Sequence, residues 1–445
     1  MESGSGGRTA YHGHILLCIF LYKQNKRFGE PSRISVPLLL GERIMKVVQI
    51  NATCGVGSTG KICVGISRLL TEESIENYIL YSSKSNGYEN GIKCSSDRYV
   101  KLQALRSRVF GNYGFNSKWA TKKMIDELRR IDPDIVNLHN IHGHDCDIEM
   151  LISYFKEHNV KVIWTFHDCW AFTGYCTYFD IENCDRWKTG CFDCPQRREY
   201  SWLFDKSSKL FEKKRRLLDG LDLTIVTPSQ WLADIVKQSF LKDKPISVIN
   251  NGIDLSVFKP SESTFVKNYG LEGKNVVLGV SFDWDKRKGL DVFIDLSKRL
   301  SDDYRIVLVG TNEETDKILP ENIISIHRTQ NQKELAEIYS VADVFVNPTR
   351  EENYPTVNME AIACGAPVLT FRTGGSPEML DDSCGAVVER NDVDTLEREI
   401  VRICKDKPYT KEGCINRSKE FDENERFKEY IKLYEGINAA GAQGN

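Results

Sequence analysis

This sequence of 445 residues has little net charge, a short apolar run near its start and cysteines that are not clustered as in a disulfide scaffold. Its net charge is only −3, so the chain has no general attraction to nucleic acid. The apolar run from Ile15 to Tyr22 is too short to cross a bilayer. The 14 cysteines are scattered, which is typical of a reduced, cytoplasmic protein rather than a disulfide scaffold. With 41% hydrophobic residues, the chain is long enough to form two or three well-packed domains.

The two ends differ in composition from the rest of the chain. Residues 1–44 start with a run rich in Gly and Ser, and the first pattern of a buried strand begins only at Lys46. We therefore predict that residues 1–44 are an extension outside the fold, a disordered or non-native leader with no clear signal-peptide cleavage site. Residues 439–445 are small and polar and are predicted to form a disordered tail.

Apolar strand patterns alternate with amphipathic helix patterns from Lys46 onwards. This alternation predicts an α/β protein whose parallel sheets are covered by helices on both faces. We expect an N-terminal domain at 45–245, with a cysteine-rich insertion at 172–200, and a C-terminal domain at 246–420. The segment from Val100 to Arg130 is predicted to be largely helical.

A glycine-rich loop, Gly55 to Lys61, separates the first strand from the first helix. Such a loop can bind an anion through its backbone amides and the helix N-terminus. The loop matches the start of a phosphate-binding P-loop, but Ile62 stands where Mg²⁺ needs a Ser or Thr hydroxyl. An ATPase is therefore disfavoured, and the loop is either a ligand-contact loop or an ordinary tight turn.

The most informative stretch runs from Arg350 to Ala361, between two apolar strand patterns. Glu352 falls in a strand-to-helix loop, and Glu360 lies about two turns into the helix that follows. In an open parallel sheet, loops of this kind face the ligand crevice. A carboxylate there can accept two hydrogen bonds from the vicinal diol of a ribose. The alternative is a pair of solvated glutamates.

An ordered set of residues around these glutamates resembles the C-terminal signature of the retaining glycosyltransferases of family 4. The set consists of Asn347-Pro348-Thr349, Glu352, Glu360, Ala363 to Val368 and Gly374 to Glu378. The family has the GT-B fold, in which two Rossmann-like domains face each other across a cleft and the last helix, here predicted at 421–438, crosses back to the N-terminal domain.

This resemblance implies roles for individual residues of the donor site. Glu360 would hold the nucleotide ribose, and Glu352 with the loop behind it, including Asn353, would contact the donor sugar. The backbone amides of Gly374 and Gly375 would approach the sugar or the diphosphate. The first glycine loop, represented by Gly57, would lie against the diphosphate and the acceptor.

Two further segments carry the same resemblance. His167 follows a predicted strand and would touch the donor sugar, unless it is a histidine at the core edge that Asp168 orients. Lys288 precedes Gly289 as in the family's Lys-Gly pair, whose cation stabilises the leaving diphosphate. Asp283 stands where the family has an arginine, and Arg287 is the predicted substitute. A solvated basic loop is the alternative for both cations.

Together these residues predict an enzyme that moves a hexose from a UDP- or GDP-sugar to a glycan or a lipid-linked acceptor, in surface polysaccharide biosynthesis. The resemblance implies retention of anomeric configuration and no metal or other cofactor in catalysis. No nucleic-acid partner is expected. Two alternatives stay open: a sugar-nucleotide epimerase of the same fold, and a non-catalytic protein that binds nucleotide-sugars.

A basic amphipathic helix is predicted from Ser208 to Leu218. It could lie on the anionic inner face of a membrane and bring the enzyme to lipid-linked acceptors. The favoured interpretation is a surface helix that packs on its own domain through Leu210, Phe211, Leu217 and Leu218.

Four cysteines of the insertion fall close together: Cys176, Cys184, Cys191 and Cys194. The spacing of the last two allows both sulfurs to reach one metal ion, and four thiolates would make a structural zinc site with no open position for substrate. Free thiols packed as small hydrophobic groups and disulfides are the two alternatives.

Overall fold

The computed structural model describes the chain from Met45 to Ala442, and its side chains as far as Ala439. The predictions for residues 1–44 and 443–445 lie outside the described residues. Residues 439–442 were predicted to be part of a disordered tail, but they continue the last helix, so that part of the prediction is wrong.

The first domain is built on a parallel sheet of seven strands in the order β3-β2-β1-β4-β5-β6-β7. The strands are β1 Lys46–Asn51, β2 Glu76–Tyr81, β3 Gly91–Lys93, β4 Ile135–Leu138, β5 Lys161–Thr165, β6 Leu223–Thr227 and β7 Ile246–Val248. The central strands β1 and β4 are buried along almost their whole length, because helices cover both faces of the sheet. Their apolar runs are what made them visible in the sequence.

Between Met45 and Val248, seven α-helices accompany this sheet. They are α1 Gly57–Glu72, α2 Asp97–Phe110, α3 Lys118–Ile131, α4 Ile148–Glu157, α5 Arg197–Tyr200, α6 Ser207–Leu218 and α7 Gln230–Val236. The predicted helical segment from Val100 to Arg130 is in fact two helices. Gly111 ends α2 in the left-handed conformation, with φ of 64°, which glycine adopts without strain.

The predicted division between the domains at 245/246 falls too early. Strand β7 pairs in parallel with β6 and so completes the first sheet. The change of domain comes after Val248, in the turn around Asn250 to Asp254. The short apolar segment Ile246–Val248 gave no signal that told an edge strand of one sheet from the start of the next.

The second domain contains a parallel sheet of six strands in the order β10-β9-β8-β11-β12-β13. The strands are β8 Asn275–Val280, β9 Tyr304–Val309, β10 Ile323–Ile326, β11 Val344–Asn347, β12 Val368–Phe371 and β13 Gly385–Val388. The helices are α8 Phe265–Asn268, α9 Leu290–Arg299, α10 Glu313–Asp316, α11 Gln332–Tyr339, α12 Thr356–Ala363, α13 Val393–Asp406 and α14 Lys411–Ser418. Two Rossmann-like domains are therefore confirmed.

The last helix, α15 Glu423–Ala442, returns to the first domain as predicted. Its buried residues Phe427, Tyr430 and Tyr434 share a hydrophobic core with Val47 of β1 and Ile66 of α1. Asn137 of β4 donates a hydrogen bond to the Tyr434 hydroxyl, at 2.7 Å. Full burial of an aromatic side chain stabilises by about 2–3 kcal/mol, so this face holds the helix on the first domain. Between Met45 and Ala442 no helix is long and apolar enough to cross a membrane.

Candidate active site

Each sheet reverses its strand order once, and the predicted site residues follow the strands at these two points. In the second sheet the reversal lies between β8 and β11, where the loops carrying Lys288 and Glu352 emerge side by side. In the first sheet it lies between β1 and β4, which are followed by the glycine loop and by His139. Ligands of open α/β sheets bind at such positions, outside the carboxyl ends of the strands.

Glu352 and Lys288 form an ion pair at the end of the second sheet. The Lys288 Nζ lies 2.5 Å from Glu352 Oε2, and the Asn353 amide donates to Glu352 Oε1 at 3.1 Å. Burial alone would raise the pKa of Glu352, but the Lys288 ammonium outweighs it and lowers the pKa below its usual value. Glu352 is therefore a carboxylate, and it holds the Lys288 ammonium at the end of the second sheet.

A pocket of about 150 Å³ opens beside this pair. Lys288, Arg287, Asp283, Asn347 and Val357 are among the residues that line it. Arg287 therefore lies in the same pocket as Lys288, where it can stand in for the arginine whose usual place Asp283 takes. Asp283 itself is exposed.

Glu360 lies on α12 and is almost fully buried. The hydroxyl of Tyr339, on α11, donates to Glu360 Oε2 at 3.1 Å. Burial raises the pKa of Glu360, while Lys61 of the glycine loop and the hydrogen bonds from Tyr339 and Thr356 act in the opposite direction. Glu360 is thus a buried hydrogen-bond acceptor, and the first domain supplies a cation that acts on its charge.

His167 ends a hydrogen-bond chain that fixes its tautomer. Gln49 donates its amide to the Cys63 carbonyl, so its oxygen accepts from His139 Nε2 at 3.0 Å. His139 Nδ1 is then the acceptor for His167 Nε2, at 3.1 Å. Burial lowers the pKa of His139, and it lowers the pKa of His167 to about 4. His167 is therefore neutral, and its Nδ1 is an unprotonated acceptor.

A second histidine, His142, pairs with Asp168 nearby. His142 Nε2 lies 2.7 Å from Asp168 Oδ2, and His142 Nδ1 lies 3.0 Å from the Tyr113 hydroxyl. Burial acts to lower the pKa of His142, but the Asp168 carboxylate outweighs it and the pKa is raised. The pKa values of these two neighbouring histidines thus shift in opposite directions, upward for His142 and downward for His167. Asp168 orients His142, and not His167 as one interpretation of the sequence had it.

Asn353 connects the two domains at this point. Its amide nitrogen donates to the His167 carbonyl at 3.1 Å, and its oxygen accepts from the Ser229 hydroxyl at 2.6 Å. This places Glu352, the residue before it, beside His167. The three residues predicted to be catalytic, Glu352, Lys288 and His167, therefore lie in one cleft.

The two glycines after β12 are required by packing between protein segments. Gly374 has φ of 55°, and a Cβ there would lie 1.8 Å from the Glu352 carbonyl oxygen. A Cβ on Gly375 would lie 2.5 Å from Ser229, and the Gly375 amide donates to the Asn353 carbonyl at 2.7 Å. That amide is engaged within the protein, so its predicted contact with the donor would need this bond to exchange. Gly57, with φ of 71°, faces open space.

Models of two families match the chain, one on each domain. The model described as "Glycosyltransferase Family 4" matches residues 63–257, and the model described as "Glycosyl transferases group 1" matches residues 274–406. The chain belongs to the family 4, group 1 glycosyltransferases.

Curated relatives and solved structures agree with this assignment. The E. coli protein named putative colanic acid biosynthesis glycosyl transferase WcaC is 22% identical over 78% of this chain and 88% of its own length. A Campylobacter jejuni diacetylbacillosaminyl-diphospho-undecaprenol α-1,3-N-acetylgalactosaminyltransferase is 25% identical over 46% of this chain and 58% of its own. Several further curated relatives match over less than half of their length.

The structure of Anabaena HepE in complex with UDP and glucose superimposes with a TM-score of 0.64. The match covers 88% of this chain and 100% of that one, at 13% identity, and shows that the two share the GT-B fold. The predicted fold class is confirmed.

Sequence reasoning missed the partners that hold the site of this glycosyltransferase together. Gln49, Ser229 and Tyr339 were not predicted to contribute. They come from strands and helices far along the chain from the residues that they contact, and no local pattern marked them. The one available signal was position, because Gln49 lies in β1, next to the switch point of the first sheet.

The cysteine-rich insertion forms one wall of the cleft. The amide of Ile181 donates to Glu351 Oε1 at 3.0 Å, and Arg390 of the second domain donates to the Asp180 carbonyl at 3.1 Å. The four predicted zinc ligands line one small pocket of the insertion, and none of them is disulfide-bonded. Across the described part of the chain, however, no three His, Cys, Asp or Glu side chains are placed so that they could hold a metal ion. As they stand, the sulfurs do not fit zinc, and bound zinc stays a prediction.

The basic helix α6 packs on its own domain. Leu210, Phe211 and Leu218 are buried, and Lys214 is buried as well. The Lys214 Nζ donates to the Trp170 carbonyl at 2.6 Å and lies 3.8 Å from the Trp170 ring centroid. The favoured interpretation of this helix is confirmed, and α6 has no free apolar face to insert into a membrane.

Proposed function

We propose that this glycosyltransferase moves a hexosyl group from a UDP- or GDP-sugar to a glycan or lipid-linked acceptor with retention of anomeric configuration, in surface polysaccharide biosynthesis on the cytoplasmic side of the membrane. The observation that carries the proposal is the Lys288–Glu352 ion pair beside the neutral His167. The pair stands at the donor pocket, in a cleft whose opposite wall belongs to the first domain.

The donor would bind with its ribose on Glu360 and its diphosphate on Lys288 and Arg287. These two cations of the pocket neutralise the charge that develops on the leaving diphosphate, and this supports catalysis without a divalent metal. His167 Nδ1 would accept a hydrogen bond from a hydroxyl of the donor sugar. Glu352 would hold Lys288 in place and accept from a second hydroxyl.

Retention is implied by the family resemblance, and the proposed step is attack on the face that the phosphate leaves. The bond between the anomeric carbon and the phosphate oxygen breaks, and the acceptor oxygen bonds to the same face of that carbon. The acceptor's proton passes to the departing phosphate oxygen. Glu352 is paired with Lys288 and His142 with Asp168, so both carboxylates are already engaged and neither is set up as a free nucleophile.

The names of the similar proteins support the substrate classes. HepE was solved with UDP and glucose, the Campylobacter enzyme is named for a diphospho-undecaprenol acceptor, and WcaC is named for colanic acid biosynthesis. A Corynebacterium relative is named as GDP-mannose-dependent, so both UDP and GDP donors remain in the proposal.

The test is a calorimetric binding screen of UDP- and GDP-sugars on the purified protein, followed by turnover with the best ligand. We expect one nucleotide-sugar to bind and its sugar to appear on an acceptor with the donor's anomeric configuration, read by NMR of the product. Conversion of the donor to its epimer without transfer would establish the epimerase instead. Binding with no turnover on any glycan or lipid-linked acceptor would establish the non-catalytic alternative.

A further inference from the structure

Helix α2 has its polarity reversed relative to an ordinary surface helix. The residues that it buries are polar, Gln103 and Ser107, and neither the Gln103 oxygen nor the Ser107 hydroxyl has a hydrogen-bond partner. Leu102 and Leu105 point outward and are half exposed. A helix that packs only on its own domain places its leucines inward, so the exposed side of α2 is suited to an apolar partner.

This exposed side continues beyond the helix in both directions. At its start, the Trp119 amide donates to the Tyr99 hydroxyl, and the two rings lie 5.2 Å apart. At its end, the Trp202 amide donates to the Arg108 carbonyl at 2.7 Å. The apolar surface, which we call the α2 surface, contains seven side chains that are 46% to 61% exposed: Leu102, Leu105, Phe110, Trp119, Trp202, Leu203 and Phe204.

The α2 surface lies in a strongly basic part of the chain. Residues 97–131 contain nine Lys or Arg and only three Asp or Glu, although the whole chain carries a net charge of −3. Arg98, Lys101 and Arg108 are exposed on α2 itself. Apolar and aromatic side chains ringed by cations match an anionic bilayer surface, where rings enter the headgroup layer and cations meet lipid phosphates. Nucleic acid would use the cations but gives no role to the leucines.

The α2 surface is connected to the acceptor side of the cleft. The segment between α2 and α3 carries Tyr113, whose hydroxyl lies 3.0 Å from His142. The Tyr113 ring also packs on that of Tyr200, which precedes the Trp202–Phe204 loop. A bilayer against this surface would therefore lie next to the histidines of the first domain.

We propose that the α2 surface is a docking site for the anionic surface of a phospholipid bilayer, and that it brings the cleft to a lipid-linked acceptor. The membrane contact that the sequence offered as an alternative for α6 is thereby assigned to α2. The choice of acceptor rests on the proposed function, whereas bilayer binding does not.

The experiment is flotation of the full chain with vesicles, comparing phosphatidylcholine alone with an equal mixture of phosphatidylcholine and phosphatidylglycerol. We expect binding to the anionic vesicles at low salt and its loss at high salt. The double variants Leu102→Gln/Leu105→Gln and Arg98→Glu/Lys101→Glu should each bind at least about tenfold more weakly. The matched control Ile318→Gln/Val401→Gln, at exposed apolar positions of the second domain, should bind like the wild type.

Several results would overturn the proposal. They are failure of the wild type to bind anionic vesicles at low salt, unchanged binding by both α2 variants, and equal binding of single-stranded DNA that the leucine variant leaves intact. Light scattering tests a further outcome. If the protein does not bind vesicles but forms a dimer that the leucine variant dissociates, the surface is assigned to a second copy of the chain.

Two measurements keep this test apart from the proposed function. Melting temperatures of all variants should match the wild type, since the changed side chains are exposed, and Glu near the start of α2 suits the helix dipole. Nucleotide-sugar binding should also be unchanged in the α2 variants. A protein that binds bilayers but transfers no sugar would leave this inference standing and contradict the proposed function.

Discussion

At the scale of single residues, Glu360 gives the most direct test of the proposed ribose contact. It is almost fully buried and accepts hydrogen bonds from Tyr339 and Thr356. If it accepts from the ribose hydroxyls, Glu360→Gln should keep the fold and weaken nucleotide binding by about tenfold to a hundredfold. Loss of a charge-assisted hydrogen bond corresponds to about 1.5–3 kcal/mol. Isothermal titration of UDP and GDP into both proteins measures the change.

The control for this prediction is Glu412→Gln, at an exposed position on α14 of the same domain. This substitution removes one negative charge from the same domain but lies outside the pocket. The variant should therefore bind nucleotide like the wild type. Equal affinities of wild type and Glu360→Gln, with equal melting temperatures, would rule out a ribose contact at Glu360.

His142 predicts a dependence of stability on pH. Its pKa is raised by Asp168, so the folded state holds its proton more tightly than the unfolded chain, where histidine has a pKa of about 6.5. The stabilisation is complete below that value and is lost as pH rises through the raised pKa of the folded state. The loss of stability caused by His142→Gln, from urea unfolding, should therefore be larger at pH 5.5 than at pH 9. A loss that does not change with pH would show that the pair carries no proton linkage.

At the scale of elements, sequence prediction succeeded where strands are buried and continuous. The sequence predicts strands at 275–280 and 304–309, which are the observed ends of β8 and β9, because helices alternate with them and most of their residues are apolar. β3 and β13 were missed. Both are edge strands of three or four residues that begin with glycine, and a Cβ on Gly385 would lie 2.1 Å from the Val368 carbonyl oxygen. Glycine is needed there because the neighbouring strand lies so close, but in a sequence a glycine usually indicates a turn.

The candidate site, like the fold, was predictable from the sequence only in part. The loops with Glu352 and Lys288 follow strands, so sequence order alone placed them at the sheet's carboxyl edge. The hydrogen-bond chain from Gln49 through His139 to His167 was not predictable, because Gln49 lies on one strand, the two histidines follow two others, and the three meet only through the sheet register. The double role of Asn353, which bonds Ser229 and His167, depends on the closure of one domain on the other.

The cysteine-rich insertion carries a prediction that distinguishes its three interpretations. Burial, with a smaller effect of the neighbouring cysteines, raises the pKa of Cys191 to about 11 and of Cys194 to about 12, so without a metal these thiols stay protonated. Zinc binding would release those protons and draw the sulfurs together. We expect either one equivalent of zinc by mass spectrometry or four reactive thiols in the denatured insertion, and in neither case a disulfide.

A variant separates a structural metal from adventitious binding. Cys191→Ser/Cys194→Ser should remove the zinc and lower the melting temperature if the metal orders the insertion. If zinc is absent, the same change should have a small effect, because serine replaces two partly exposed thiols. Cys404→Ser, a buried thiol of the second domain, is the control for the loss of a packed cysteine.

At the scale of the whole molecule, the two domains are joined across the cleft by more than their covalent connection. Asp180 and Ile181 of the insertion are hydrogen-bonded to the second domain. Asn353 of the second domain is hydrogen-bonded through its side-chain oxygen and its side-chain nitrogen to two residues of the first domain. These bonds surround Glu352 and His167. We therefore expect closure of the domains and assembly of the predicted catalytic residues to be coupled, so that a change that favours an open form should also disperse the site.

Glu378 is the side chain best placed to test this coupling. Its carboxylate accepts from the backbone amides of Gln230 and Trp231, at 2.8 and 2.7 Å, at the start of α7 in the other domain. An acidic group at a helix N-terminus gains from both hydrogen bonds and the helix dipole, by about 1–3 kcal/mol in total. Glu378→Ala should therefore shift the closed–open equilibrium about tenfold or more towards the open form.

Small-angle X-ray scattering measures that shift as an increased radius of gyration of the ligand-free protein. Saturating nucleotide-sugar should bring the radius of gyration of the variant most of the way back to the wild-type value. The turnover rate should fall together with the closed population, although Glu378 touches neither Glu352 nor Lys288. Glu389→Ala is the matched control, because Glu389 pairs with Arg372 on the exposed side of the same domain. Identical scattering and turnover for Glu378→Ala and wild type would show that the contact with α7 does not hold the domains closed.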